Sequence, residues 1–365
     1  MKWFETYTSN TMGGTGNQYH FATENDGPQT GRVYYKIFTP GEYNYSLLFS
    51  NVIDSTYRPG RESHCNLICH SWEILGAWIG LCKEVSPETA GDVTHFIPLA
   101  FDGKEQKTVM PGEFFTTDPV KLAPEDGDYL CLQIRYSGTM IPGHEESVLP
   151  TFVEKGGQWV ADKRVPVPGM VGCDRKVKAR IGYLGDSITQ GIGTPPNSYT
   201  HWSALVSRAI GEEYSHWNLG IGYAKGQDAA SDGAWLYKAK QLDAVVVSFG
   251  SNDIGRGRTL EQMKVDFAGL VDALKQAGVR VFLQSVPPFN WKEEKLERWN
   301  GINAYLVDEI SAKCDGFLNI APLLVDESLG SGMAKYGTHP NEEGCRVWAD
   351  ALIPLFRDFL KKLSN

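Results

Sequence analysis

Two periodicities divide the chain. Between residues 31 and 160 apolar positions recur at every second residue. The run Gly31-Arg32-Val33-Tyr34-Tyr35-Lys36-Ile37-Phe38 stops at Pro40-Gly41. In residues 129–136, Leu130, Leu132, Ile134 and Tyr136 share one face, while Cys131, Gln133 and Arg135 share the other. Turn pairs recur between such runs at Asp102-Gly103, Pro111-Gly112, Asp126-Gly127 and Pro142-Gly143. Alternation marks strands with one buried face, and short strands punctuated by regular turns predict an all-β sandwich of jelly-roll type.

From Lys178 the pattern changes. Residues 179–184 form a short apolar run. In residues 199–210, Trp202, Leu205, Val206, Ala209 and Ile210 take the spacing of one helix face. Residues 243–249 are almost continuously apolar, as a strand covered on both sheet faces must be. Residues 259–278 then read as a helix, with Thr259 and Gln262 as a capping box and Gly278 as its stop. A strand at 280–286, a charged helix at 292–313, a strand at 317–320 and a last helix after Asn341, kinked at Pro354, complete the pattern. Alternating strands and helices predict a parallel three-layer α/β domain. Pro166, Pro168 and Gly169 break the periodicity at the join, so the expected domains are a β-sandwich over 1–170 and an α/β domain over 171–365.

Composition changes this picture little. A net charge of −9 disfavours a phosphate backbone or an anionic bilayer as partner. The first residues carry no apolar signal-peptide core, no run approaches the ~20 apolar residues of a membrane span, and the seven cysteines form no compact framework. These features predict a cytoplasmic protein with reduced thiols, bound to neither nucleic acid nor membrane, with homo-oligomerisation left open.

Open parallel sheets bind ligands at the carboxyl ends of their strands, so polar residues there are the candidates for chemistry. After the first strand comes Gly185-Asp186-Ser187-Ile188-Thr189-Gln190-Gly191, which presents a serine at a strand-to-helix turn. After the 243–249 strand comes Gly250-Ser251-Asn252-Asp253, where the Asn252 amide could donate to a developing oxyanion. Near the end, Tyr336-Gly337-Thr338-His339-Pro340-Asn341 sets a histidine before a helix cap, where an imidazole neutral near pH 7 can take the serine proton. Singly, each reads equally well as a cap, an Asn-Asp turn or a loop histidine.

Taken in order, the Gly185-Asp186-Ser187, Gly250-Ser251-Asn252-Asp253 and His339-Pro340 blocks resemble the SGNH (GDSL-like) hydrolase superfamily over roughly residues 178–365. The resemblance implies a flavodoxin-like sheet, no metal or cofactor, and ester hydrolysis through an acyl-enzyme on Ser187, with His339 as base and Asp186 supporting the turn. Two positions depart from the family. Its usual Asp three residues before the histidine is Tyr336 here, so the ring N–H needs another acceptor, either a backbone carbonyl within 335–337 or a carboxylate such as Glu145 or Glu146. Its oxyanion glycine aligns with Tyr223, so the amide of Tyr223 or Gly222 is expected to join the Ser187 amide and the Asn252 side chain.

The domain order resembles that of SGNH carbohydrate esterases carrying an N-terminal β-sandwich. That similarity implies an acylated sugar, most simply an O-acetyl ester, as the small-molecule substrate. The rival readings are a lysophospholipase or thioesterase of the same superfamily, and a non-catalytic carbohydrate-binding protein. Candidate substrate contacts are Trp235, weighed with Trp202 and Trp291 against a role in the core, and the 144–147 loop with His144, Glu145 and Glu146. His64-Cys65-x3-Cys69-His70 lacks a familiar zinc spacing and is set aside as strand, and His201 as packing. The whole reading requires Ser187 and His339 to meet.

Overall fold

The computed structural model describes residues 1–14, 16–23, 27–56, 64–144 and 149–363. Contacts divide the chain into Met1–Lys176 and Val177–Asn365.

The first unit is built from two antiparallel sheets. In the smaller, strand Tyr43–Ser50 pairs with Met170–Cys173, Phe114–Thr116 and Val120–Leu122, and Thr8–Ser9 adds at the edge. The larger runs in the order Gln158–Ala161, Thr151–Lys155, Gln29–Lys36, Tyr129–Gly138, Trp72–Cys82, Phe96–Pro98, with Lys107–Val109 also on Trp72–Cys82. Alternate residues of both sheets enter one core. Tyr45, Leu47, Phe49 and Val171 come from the small sheet, and Val33, Tyr35, Ile79, Leu130, Leu132 and Ile134 from the large one. This is the sandwich that the two-residue period predicts.

The outer face of the large sheet is drier than alternation alone implies. Cys131, expected to face away from the core, is fully buried in a second cluster with Tyr34, Cys82, Tyr129 and Phe152. The connection after Cys82 supplies its cover through Val85, Ala90 and Val93, and the Tyr34 hydroxyl donates to the Gly91 carbonyl at 2.9 Å. Such a local lid leaves no trace in strand periodicity.

The second unit carries a five-stranded parallel sheet. Its strands are β1 (Arg180–Gly185), β2 (Ser215–Gly220), β3 (Ala244–Ser248), β4 (Arg280–Gln284) and β5 (Gly316–Leu318), in the order β2-β1-β3-β4-β5. This is the flavodoxin-like order, which brings the carboxyl ends of β1, β2 and β3 side by side. β3 is buried at every residue, as its continuous apolar run requires.

Several boundaries differ from the sequence expectation for local reasons. The helix expected over 199–210 starts at Trp202, because Tyr199 sits at φ 53°, a left-handed conformation no α-helix admits. The charged stretch resolves into helix Glu293–Asp308 and a 3₁₀ turn at Ile310–Lys313. Thr259 and Gln262 form the reciprocal capping box, and Gly278 takes φ 82° just beyond helix Leu260–Gln276. Helix Glu342–Lys361 is capped by Asn341, whose Oδ1 accepts from the Gly344 amide at 3.0 Å, and it contains Pro354 within its length.

The sandwich core makes a direct prediction. Leu132→Ala removes a fully buried side chain and should cost about 2–5 kcal/mol, whereas exposed Arg135→Ala should stay within about 0.5 kcal/mol. Denaturant midpoints of the two variants check this.

Candidate active site

β1 ends at Gly185, and the next residue turns the chain. Asp186 is extended (φ −91°, ψ −156°) and its Oδ1 accepts from the Ile188 amide at 3.0 Å, capping the one-turn helix Ser187–Gln190. Ser187 therefore opens a helix directly after a strand. Gly191, at φ 118°, ends that turn. In the parallel register Gly185 lies beside Gly220 of β2 and Ser248 of β3. A Cβ at Gly185 would overlap the Thr189 hydroxyl, and one at Gly220 would overlap the Gln190 amide. Two bare strand ends are what let the short helix settle onto the sheet.

The histidine arrives from the other end of the domain. The Asn341 amide donates to the Tyr336 carbonyl at 3.0 Å and closes the loop around His339. Gly193, at φ 106°, packs against this loop so closely that a Cβ there would come within 2.9 Å of the His339 Cβ and 2.7 Å of the Pro340 carbonyl. The outcome is a hydrogen bond of 2.9 Å between Ser187 Oγ and His339 Nε2, across 152 positions of sequence. Ser187 is 6% exposed, and the Phe289 ring stands edge-on to the imidazole at 5.3 Å.

The other expected groups cluster by chain path rather than by measured approach to Ser187. Tyr223 sits at φ 63°, in the left-handed region that favours glycine, a conformation unusual for a tyrosine. Arg256 secures it: one guanidinium nitrogen donates to the Tyr223 carbonyl at 2.8 Å, and the group lies 5.3 Å above the ring. Gly222 is buried in the same turn. Asn252 donates one amide hydrogen to the Ala224 carbonyl at 3.0 Å, leaving the second available.

The acid's position is where sequence reasoning and structure part. Among the described residues no group accepts a hydrogen bond from His339 Nδ1, the carbonyls of 335–337 included. The Tyr336 carbonyl is taken by Asn341, and the Tyr336 ring carries the Lys335 ammonium at 5.3 Å. Glu145 and Glu146 lie outside the described residues. Lacking a carboxylate neighbour, His339 responds to burial alone, which lowers its pKa from the usual 6.5. Behind the nucleophile, Asp186 and Asp253 are fully buried. Desolvation, with each carboxyl's neighbouring acids, pushes Asp186 up to about 7 and Asp253 up to about 6. Asp253 Oδ2 accepts from the Gly226 amide at 3.0 Å, so it ties the β2 turn to the β3 turn.

Trp235 is not a substrate platform. It is 1% exposed, donates its indole N–H to the Leu219 carbonyl at 2.9 Å and meets Phe249 edge-on, because its helix packs inward on the sheet. Trp202 is likewise buried, stacked on Trp348, and Trp291 is 4% exposed beside Phe289. His201 is buried at the start of helix Trp202–Ile210, and His144 is buried within the first unit. Cys65 lies on strand His64–Ile68, Cys69 is buried just beyond it, and among the described residues no three His, Cys, Asp or Glu side chains form a metal-sized group. Sequence reasoning missed Phe289, Gly193 and Arg256. Pro287-Pro288-Phe289 directly after a strand was a readable signal for the first, whereas the other two declare themselves only in three dimensions.

Residues 183–347 match the GDSL-like Lipase/Acylhydrolase family. Similar solved structures include the psychrotrophic esterase EstA from Pseudoalteromonas sp., at 19% identity over 50% of this chain and 98% of that one, TM-score 0.40. Another is the M. smegmatis aryl esterase in an inhibitor-bound form, at 17% identity over 49% and 98%, TM-score 0.41. A third is a member of the lipolytic protein G-D-S-L family from Veillonella parvula, at 18% identity over 48% and 97%, TM-score 0.41. No curated protein matches the chain.

Two measurements follow from the electrostatics. A base whose pKa is lowered stays neutral further into acid, so the acid limb of kcat/KM should have its midpoint below 6.5. A midpoint above that value would point to a carboxylate partner from outside the described residues. A carboxyl raised on folding stabilises the protein below its unfolded pKa of ~4, and that contribution is lost as pH climbs through the folded value. With Asp186 at about 7, Asp186→Asn, which keeps a capping oxygen, should lose less thermal stability than the parent between pH 5 and pH 8. Equal losses in the two proteins would contradict the raised carboxyl.

Proposed function

We propose that this chain, whose residues 183–347 belong to the GDSL-like lipase/acylhydrolase family of carboxylic ester hydrolases, removes short O-acyl groups, most simply acetyl, from carbohydrates. The observation that carries the catalytic part is the 2.9 Å contact between Ser187 Oγ and His339 Nε2. A serine oxygen within hydrogen-bond reach of a neutral imidazole is the arrangement that nucleophilic acyl transfer needs.

In this reading Nε2 takes the hydroxyl proton as Ser187 Oγ attacks the ester carbonyl. The oxyanion is met by the Ser187 amide, an amide of the Gly222–Tyr223 turn and the spare hydrogen of Asn252. The alcohol leaves with the proton from His339. Water then attacks the acyl-enzyme, gives its proton to the same nitrogen and releases the acid. Nδ1 must keep its hydrogen throughout, and among the described residues no carboxylate is placed to answer the positive charge that develops on the ring. Asp186 and Asp253 shape the turns and take no proton from substrate.

Crowding supports a small acyl group. The Ser187 side chain is nearly buried, the Phe289 ring stands against the imidazole, and Gly193 packs on the His339 main chain with no space for a side chain of its own. The choice of a carbohydrate as the alcohol rests on the β-sandwich that precedes the catalytic unit, the domain order in which carbohydrate esterases of this kind occur.

Purified protein should hydrolyse aryl acetate faster than aryl octanoate and should release acetate from acetylated oligosaccharides. Ser187→Ala should lower kcat by roughly 10⁴-fold or more, with His339→Ala comparable, because the two act as a unit. Preference for the long chain would redirect the assignment to lysophospholipids or thioesters. Absence of both turnover and fluorophosphonate labelling would leave only a binding protein.

A further inference from the structure

The outer face of the large sheet in the first unit carries, beside its small second core, a group of polar and aromatic side chains that catalysis does not use. Pairing sets Pro98, Trp78, Gln133, Arg32 and Phe152 in one row across five strands, all on the face away from the sandwich core. Trp78, Gln133 and Arg32 are half-buried. The indole of Trp78 lies along its own strand over Gly76, so near that a Cβ there would come within 2.7 Å of Cη2. A flat, half-exposed indole bedded on a glycine is a stacking platform.

Two strands away, Arg32 is held in place without being neutralised. Its guanidinium carbon sits 4.1 Å from the Trp159 ring centre and 5.2 Å from that of Phe96, and both rings are half-buried. Nε donates to Gln133 Oε1 at 2.9 Å, and one terminal nitrogen makes a long contact of 3.5 Å with the Tyr34 hydroxyl. That uses two of the five N–H donors of an arginine and leaves three. Among the described residues no carboxylate pairs with Arg32. A guanidinium oriented by two rings and an amide, with donors to spare, is pre-organised for an external carboxylate. On a chain of net charge −9 it is a local exception.

The geometry points to a binding site for a carboxylate-bearing oligosaccharide, a uronate, with one sugar ring stacked on Trp78 and a carboxylate on Arg32. Neighbouring strands stand ~4.8 Å apart, so the main chains of Trp78 and Arg32 are roughly 10 Å apart, with the Arg32 side chain reaching across the intervening strand to Gln133. The site belongs to the first unit and does not depend on which acyl group the second removes.

The test uses the full chain, titrated calorimetrically with an oligogalacturonate and with the same oligomer fully methyl-esterified. The acid form should bind at least tenfold more tightly than the ester, and its binding should weaken with added salt. Arg32→Gln and Trp78→Ala should each lower affinity for the acid form at least tenfold while leaving Ser187-dependent aryl acetate hydrolysis unchanged. That assay also reads the catalytic assignment separately. Failure of the parent protein to bind the acid form, equal binding of acid and ester, or undiminished binding by either variant would overturn the proposal. The acid–ester comparison on unaltered protein decides the matter even if a variant fails to fold.

Discussion

The active-site edge depends on a place where side chains are forbidden. Gly185 and Gly220 are neighbours in the parallel register, and above them the helix opened by Ser187 rests directly on backbone. Ordinary residues at either position would lift that helix by the thickness of a methyl group. The hydroxyl it carries reaches His339 at 2.9 Å, and a hydrogen bond tolerates only a few tenths of an ångström before it weakens. Close packing at Gly193 holds the histidine loop on the opposite side, again with no room for a Cβ. Ser187 and His339 are thus brought together by steric exclusion at these glycines.

Electrostatics around this edge are arranged by burial more than by pairing. Among the described residues no carboxylate pairs with His339, and burial favours the neutral ring. The acids that are present, Asp186 and Asp253, hold main-chain amides at the base of the site. Burial raises both carboxyls, which favours their neutral forms. A dyad of this kind forgoes the tautomer control that a third residue gives, which elsewhere is worth up to roughly four orders of magnitude in rate.

Much of this was legible from residue order. Continuous apolar runs marked β3, alternation marked the inner face of the sandwich at Leu130, Leu132 and Ile134, and the Thr259–Gln262 box marked a helix start. Two of the three motif blocks were readable because each follows a strand, where a parallel sheet gathers its loops, and the third because it directly precedes the cap of the last helix. What could not be read depends on contacts distant in sequence. Trp235 has the composition of a sugar platform, and only its bond to the Leu219 carbonyl reveals a core residue. The second small core around Cys131 needs a lid from a loop without periodicity. Of the partners expected for the imidazole, no carbonyl within 335–337 accepts from it, and Glu145 and Glu146 lie outside the described residues.

Tyr223 shows how such a loop can be stiffened. A glycine at a left-handed position fits without strain, yet in the unfolded chain it explores far more conformations, all of which folding must remove. A tyrosine there accepts a steric penalty and starts from a narrower ensemble, and Arg256 offsets part of the penalty through its bond to the carbonyl and its place over the ring. The turn is consequently clamped from outside by a side chain eight residues beyond the end of β3, so the backbone angle at this position is held by a partner distant in sequence and not by the residue that occupies it.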